Sequence, residues 1–346
     1  MNWRKLLLPL SMFWWIGTEV RNSFYNAGLF PSKKFNKAII IVGNLSVGGT
    51  GKSPHVIYLL DLLRHQFNVV ALSRGYGRKT SGIRVANYDS TAGEIGDEPM
   101  QFFNRFKNRI LVAVGEDRVE TIEYLNSNYQ VDAVILDDAY QHRKLKSDMK
   151  ILLTSYNDRY STDCLLPAGN LREAKKNAKR AQIVIVTKCP EFPDLDEQIS
   201  IHRELKIKPK QHLFFSKVVY SEIIEHRKYP MKLADAKHYN ILAITGIANP
   251  QPFIDYLNAN FNQVRELRFP DHYNFKPSDI QHIADAFKEI EGEKLILTTE
   301  KDYMRLRHEY MIVDNLYYLP ISILIDRSEE FNQIILNYVQ RFQTSY

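Results

Sequence analysis

Residues 39–54 read IIIVGNLSVGGTGKSP, from Ile39 to Pro54. The apolar run Ala38 to Val42 predicts a buried strand. It stops at Gly43, passes Gly48, Gly49 and Gly51, and reaches Lys52 and Ser53. The apolar stretch that follows, Val56 to Leu63, predicts a helix. Strand, glycine loop, Lys-Ser and helix, in that order, is the setting of a phosphate-binding P-loop. Glycines let successive backbone N–H groups point at phosphate oxygens, and the start of the helix adds positive dipole. Ser46, Val47, Gly48, Gly49, Thr50 and Gly51 would form the cradle. Lys52 would reach the β/γ-phosphates of a nucleotide, and Ser53 would hold Mg²⁺. The usual pattern begins with a glycine where this chain has Ser46.

The chain has 346 residues, 45% apolar and 25% charged, which fits a globular protein with room for two domains. Its two cysteines, Cys164 and Cys189, lie in separate segments with no metal-ligand spacing and no disulfide framework, and a reducing compartment suits them. The formal net charge is +6. Arg4, Lys5, Arg21, Lys33, Lys34 and Lys37, opposed by Glu19 alone, place most of it before residue 38. Such asymmetry points to an acidic partner: an anionic membrane surface or a phosphorylated substrate. There is no arginine-rich tract and no nucleic-acid motif, so a nucleic-acid partner is not expected.

Within that basic front, Leu6 to Ile16 is apolar but interrupted by Pro9 and Ser11. It is shorter than the ~20 residues a bilayer span needs. No small-residue cleavage site follows it, which argues against a signal peptide. Phe13, Ile16, Val20 and Phe24 fall on one helical stripe, with Trp14 and Trp15 beside it and cations at both ends. That pattern predicts a helix lying in a membrane interface. A helix packed on the protein's own core is the other reading of the same stripe.

Downstream, short apolar strands alternate with helices. Strands are expected at Asn68–Leu72, Ile110–Val114, Val131–Leu136, Lys150–Leu153 and Ile183–Val186, with Leu213–Tyr220 as an isolated strand outside the rhythm. The alternation means βαβ units and a parallel sheet covered by helices on both faces. The polar stretch Ser221 to Lys237 separates a second α/β set. The expected division is residues 1–212, a P-loop domain with the amphipathic front helix, and 213–346, linker strands and a smaller α/β domain.

Motifs stand at several strand ends. SerArgGlyTyrGly (73–77) places Arg74 on a loop that suits either a ligand or a plain surface turn. GlyAspGluPro (96–99) opens a helix with Asp97 and Glu98, which also suit the helix dipole. Asp137-Asp138 ends an apolar strand downstream of the P-loop, the Walker B arrangement, which sets a carboxylate beside Mg²⁺. ThrLysCysPro (187–190) is loosely similar to the guanine-reading NKxD but lacks its aspartate. LeuProAlaGlyAsnLeuArgGlu (166–173), PheProAspHisTyrAsnPhe (269–275) and ThrThrGluLysAsp (298–302) complete the set.

Taken together these motifs resemble the tetraacyldisaccharide 4′-kinases of lipid A synthesis, over nearly the whole chain. Ser53 replaces a common threonine but keeps the hydroxyl, and Ala139-Tyr140 replaces a frequent glycine. The resemblance implies two α/β/α domains joined by a short two-stranded linker. It implies ATP and Mg²⁺ as cofactors. The reaction implied is phosphorylation of the 4′-hydroxyl of an acylated glucosamine disaccharide 1-phosphate, giving lipid IV-A. The implied location is peripheral, at the cytoplasmic face of the bacterial inner membrane through the front helix. Asp97 then corresponds to the base that accepts the hydroxyl proton, and His272 to a residue that orients it. Asp137, Asp138 and Glu173 correspond to acidic residues at the metal, and Arg74 and Arg172 are candidates for phosphate groups. Two other readings stay open from sequence alone: a P-loop kinase of a soluble small molecule, and a partitioning-type nucleotide switch. Val47 stands where such switches carry an extra lysine.

Overall fold

A computed structural model describes residues 3–271 and 273–343 of the chain. In chain order, helix α1 (Leu8–Asn26) precedes β1 (Ala38–Asn44) and α2 (Lys52–Leu63). Then come β2 (Val69–Ser73), β3 (Arg84–Val85), α3 (Ala92–Ile95), α4 (Asp97–Phe106), β4 (Leu111–Val114), α5 (Arg118–Asn128) and β5 (Ala133–Asp137). They are followed by β6 (Met149–Ser155), β7 (Ile183–Thr187), α6 (Leu195–Glu204) and β8 (His212–Tyr220). A hairpin of β9 (Ile223–Ile224) and β10 (Met231–Lys232) leads to α7 (Leu233–Ala236), β11 (Asn240–Thr245), α8 (Gln251–Asn260), β12 (Gln263–Arg268) and α9 (Pro277–Lys288). The chain ends in β13 (Lys294–Thr299), α10 (Glu300–Leu306), β14 (Leu316–Leu319), β15 (Ile321–Ile325) and α11 (Ser328–Gln340).

The chain forms two compact units, residues 1–218 with 323–346, and residues 219–322. The larger is built on a sheet of order β15-β8-β7-β6-β1-β5-β2-β4-β3. From β8 to β4 the neighbours run parallel, and β3 pairs antiparallel at the edge. Both faces are covered, and the strands read as continuous apolar runs for that reason. In β1, Ile40 and Val42 pack with α2, α4 and α11, whereas Ile39 and Ile41 pack on the opposite face with Ile122 and Leu125 of α5.

Two segments differ from the expected arrangement. β8 is not isolated: it joins the sheet beside β7, burying Phe214 on one face and Phe215 on the other. Ile323 onward returns to the larger unit, although the sequence pattern grouped it with the second domain. The reason is apolar burial, since Ile323, Ile325, Phe331, Ile335 and Val339 complete the same core as β1 and α2.

The smaller unit has a parallel sheet of order β12-β11-β13-β14. Its cores lie on both sides of β11 and β13, around Leu242 and Ile244 on one face and Ile241 and Ala243 on the other.

Candidate active site

The P-loop starts where β1 ends. Gly43 is required there, because a Cβ would lie 2.7 Å from the Cβ of Tyr140 on the neighbouring loop. Gly51 caps α2 with φ +82°, a conformation open to glycine at little cost. It offers no side-chain cap, and the first turn of α2 holds no acidic residue. The leading N–H groups and the dipole of α2 are thereby left to an anion.

A second segment runs alongside this loop. Val47 N–H donates to the Asn170 carbonyl at 2.7 Å, and Arg172 N–H to the Leu45 carbonyl at 2.7 Å. Ser46 and Leu171 form an antiparallel bridge. That pairing delivers Arg172 to the end of β5. Its Nη1 donates to both carboxylate oxygens of Asp138, at 3.0 and 3.1 Å. Lys52 Nζ stands 3.7 Å from the same carboxylate. Asp138 itself is left-handed, φ +47°, which turns it out of the line of β5. Asp137 remains in the strand, buried, in register with Val42 of β1.

Arg118, at the start of α5, is a residue the sequence motifs did not single out. It is buried and donates to the Gly115 and Glu116 carbonyls. Burial lowers its pKa, the nearby Arg74 charge adds to that, and the charges of Asp138 and Asp137 oppose it. Arg118 therefore shares a neighbourhood with Arg74 and both aspartates. Its only signal in the sequence is GlyGluAspArg (115–118) at a strand end. His142 borders the same group, and burial with the Arg118 charge pushes its pKa down to about 4. It is a neutral imidazole at physiological pH.

Asp97 opens α4 immediately after Gly96, whose φ is +97°. A Cβ on Gly96 would approach the Tyr76 carbonyl at 3.1 Å and Gly75 Cα at 3.2 Å. The SerArgGlyTyrGly loop and the GlyAspGluPro turn thus touch backbone to backbone. His272 lies outside the described residues. The ThrGluLysAsp motif anchors the segment before it: buried Asp302 accepts from Gly246 N–H at 2.9 Å and from Thr299 Oγ1 at 2.8 Å. Thr245, next to that glycine, accepts from Phe269 N–H at 2.7 Å.

Glu173, which the resemblance sets near the metal, has one carboxylate oxygen hydrogen-bonded and its other, Oε1, buried without a hydrogen bond. It is 1% exposed, and its Oε2 takes Arg180 Nη2 at 2.7 Å and Asn22 Nδ2 at 3.1 Å, with Arg21 Nη2 standing 3.5 Å from Oε1. It joins α1 to the loop that carries Arg172. Ser11, Trp14 and Arg4 add hydrogen bonds from the front of the chain to residues 165–172.

The donor set at the P-loop fits Mg²⁺. The ion takes hard oxygens and keeps few protein ligands, relying on phosphates and water for the rest. Ser53 supplies a hydroxyl and Asp137 a carboxylate, both buried. Among the described residues no three His, Cys, Asp or Glu side chains gather into a self-sufficient cation cage.

A family model described as tetraacyldisaccharide-1-P 4′-kinase matches residues 3–340. The chain is 41% identical over 339 residues to a tetraacyldisaccharide 4′-kinase of Flavobacterium johnsoniae, covering 97% of each. It is 42% identical over 356 residues to one of Bacteroides thetaiotaomicron, covering 97% of this chain and 93% of the relative. Among solved structures, LpxK from Aquifex aeolicus, an "apo" form crystallised in complex with ATP, superposes with a TM-score of 0.78 at 30% identity. That match covers 97% of this chain and 99% of the other.

Proposed function

This chain belongs to the tetraacyldisaccharide 4′-kinase family, and from that premise we propose how its own residues carry the reaction. The protein transfers a phosphoryl group from ATP to the 4′-hydroxyl of a tetraacyldisaccharide 1-phosphate in lipid A synthesis. The whole-chain match displaces the soluble-substrate kinase and the nucleotide switch as readings of the P-loop.

The observation that carries the assignment is the cluster of Lys52, Asp138 and Arg172 at the P-loop mouth. Phosphoryl transfer asks for positioning and neutralisation of charge more than for covalent chemistry. The P-loop amides and Lys52 hold the triphosphate. Arg172, kept in place by Asp138, presents a fixed cation to the phosphate that moves. Ser53 and Asp137 would hold Mg²⁺, which supplies charge neutralisation when bound. Asp138 orders Lys52 and Arg172, and Glu173 braces the loop carrying Arg172 through Oε2 while its other oxygen is left for the metal or its waters. Arg74 and Arg118 are placed to meet further phosphate charge.

A sugar hydroxyl is a poor nucleophile until a carboxylate takes its proton. Asp97 is our candidate for that base, and His272 keeps the supporting role that the resemblance gives it. Asp97→Ala should lower kcat far more than KM for ATP, since it acts at the transition state and not in nucleotide binding. An equal loss in KM for ATP would remove Asp97 from that role.

We place the protein at the cytoplasmic face of the inner membrane, attached through α1. The support is an inverted helix. Its polar residues Ser11 and Asn22 are buried against the protein, while Phe13, Ile16 and Val20 are 72%, 40% and 48% exposed. No helix among the described residues is long and apolar enough to cross a membrane. The deciding experiment for the activity is incubation with ATP, Mg²⁺ and tetraacyldisaccharide 1-phosphate, read by mass spectrometry. One added phosphate, absent without ATP, is the expected product. No mass change would overturn the assignment.

A further inference from the structure

The first turn of α2 is weakly tethered by its own backbone. In a helix the carbonyl of residue i accepts from the N–H of residue i+4. For Thr50 that partner would be Pro54, which has no N–H. Thr187 Oγ1, at the end of β7, donates to the Thr50 carbonyl instead, at 2.9 Å. For Gly51 the partner is His55 N–H, at 3.4 Å, beyond the ordinary range of about 2.7–3.2 Å. The His55 side chain makes the close contact: Nδ1 stands 2.7 Å from the same carbonyl. Gly51 is also the left-handed residue at the bend, φ +82°, where the lack of a Cβ leaves the peptide free to rotate. The carbonyl most in need of a tether is the one that His55 holds.

The tether is itself anchored. A carbonyl only accepts, so Nδ1 carries the proton and Nε2 accepts from Ser216 Oγ at 3.0 Å. Ser216 lies in β8, which pairs with β7 in the sheet. Its own carbonyl takes Cys189 N–H at 3.0 Å. Both side chains are buried, and burial pushes the His55 pKa down to about 4, so the ring stays neutral and Nε2 stays an acceptor. The contacts run from the rigid sheet, through the imidazole, to the glycine that starts α2.

The consequence for phosphate follows from peptide geometry. In a trans peptide the N–H points away from the C=O. Fixing the Gly51 carbonyl toward His55 aims the Lys52 N–H the other way, out of the start of α2. That N–H is one of the donors a P-loop offers to phosphate. We propose that His55, anchored by Ser216, is a positioning residue of this kinase, holding the Gly51–Lys52 peptide in its phosphate-accepting orientation before the nucleotide arrives. The inference rests on the kinase reading above. Without the tether the peptide has to be ordered on binding, and the lost preorganisation appears as weaker affinity for the phosphates. The role is indifferent to the base and to the acceptor sugar.

Calorimetry on the full chain with Mg²⁺, using ADP and tripolyphosphate as probes, tests the role. His55→Leu should weaken both probes about three- to tenfold, the worth of one buried hydrogen bond. In steady-state assays KM for ATP should rise in step while KM for the lipid acceptor stays. Two amide variants separate the two contacts of the ring. His55→Asn puts an N–H near the Nδ1 position and should restore both affinities. His55→Gln reaches the Nε2 position, keeps Ser216 and leaves Gly51 untethered, so it should bind as weakly as His55→Leu. Ser216→Ala should weaken both probes on its own and add nothing to His55→Leu, because the pair acts as one unit. Losses that multiply in that double variant would overturn the anchor. A lower melting temperature with unchanged affinities in the folded variants would make His55 a packing residue and overturn the proposal, as would equal affinities for His55→Asn and His55→Gln. If His55→Leu does not fold, the Asn–Gln comparison decides alone. If the unaltered protein binds neither ADP nor tripolyphosphate, the kinase reading fails, a result distinct from failure of the positioning role.

Discussion

At the scale of single residues, the site depends on a few charges held by backbone geometry. Lys52, which we assign to the triphosphate, stands 3.7 Å from the Asp138 carboxylate. Lys52→Ala should lower turnover by about 10²–10³-fold, the usual worth of one preorganised group facing developing charge. Near-native turnover in that variant would remove Lys52 from the site. His55 offers a different test. Its Nδ1 faces a carbonyl, which only accepts, so Nδ1 carries the proton and Nε2 accepts from Ser216 Oγ at 3.0 Å. Burial pushes its pKa down from 6.5 to about 4. Between those values the unfolded chain takes up a proton that the folded chain refuses. Stability conferred by neutral His55 is therefore complete above pH 6.5 and falls as pH drops toward 4, by about 3 kcal/mol in all. Denaturant unfolding at several pH values should show a shallower decline for His55→Gln than for the unaltered protein. Identical slopes would mean that His55 does not titrate in this way.

At the scale of elements, α1 is the unusual one. A surface helix of a soluble protein turns its apolar stripe inward. Here the inward contacts are polar: Ser11 to the Leu165 carbonyl, Asn22 to Glu173, and Lys176 to Glu19. Outward lie Phe13, Trp15, Ile16, Val20 and Phe24. Changing Phe13, Ile16 and Val20 together to serine should reduce sedimentation with anionic vesicles while activity on detergent-dispersed substrate stays. Residual binding should weaken further in high salt, because the cationic flanks act over a Debye length of about 10 Å or less. Undiminished vesicle binding would move the membrane contact elsewhere. Deleting α1 is a poorer test, since it also removes Asn22 from a buried carboxylate, at a cost of about 1–3 kcal/mol.

At the scale of the whole molecule, the chain leaves the larger unit after Val218 and re-enters it at Ile323. Both crossings occur in strands that are neighbours in one sheet, β8 and β15. The larger unit is thus finished by the end of the chain. Phe331 packs edge-on against Phe214 and Tyr58, and Tyr338 donates to the Ile39 carbonyl beneath β1. Phe331→Ala should cost about 3–5 kcal/mol by leaving a cavity in that core. Urea unfolding followed by a probe in the larger unit measures it. A loss below about 1 kcal/mol would mean that α11 is not part of this core.

The sequence by itself determined what depends on near neighbours. Apolar runs of five to seven residues, glycines at the bends and Lys-Ser at a helix start specify the strand, loop and helix of the P-loop through local physics. The Asp-Asp strand end was legible for the same reason, and so was the amphipathic stripe of α1. What only the tertiary structure decided are pairings between distant parts of the chain. Arg172 reaches Asp138, 34 residues away, because its segment runs antiparallel to the P-loop. Lys188 reaches Gly49 across 139 positions because β6 and β7 lie on one side of β1 while β5 lies on the other. Glu173, which the family resemblance sets near the metal, accepts from Arg180 and from Asn22 of α1, 151 positions upstream. The return of β15 and α11 to the first core is of the same kind. Periodicity states which face of an element is apolar. Which partner covers that face is settled by strand order and by burial summed over the whole chain, and neither is written in any single stretch.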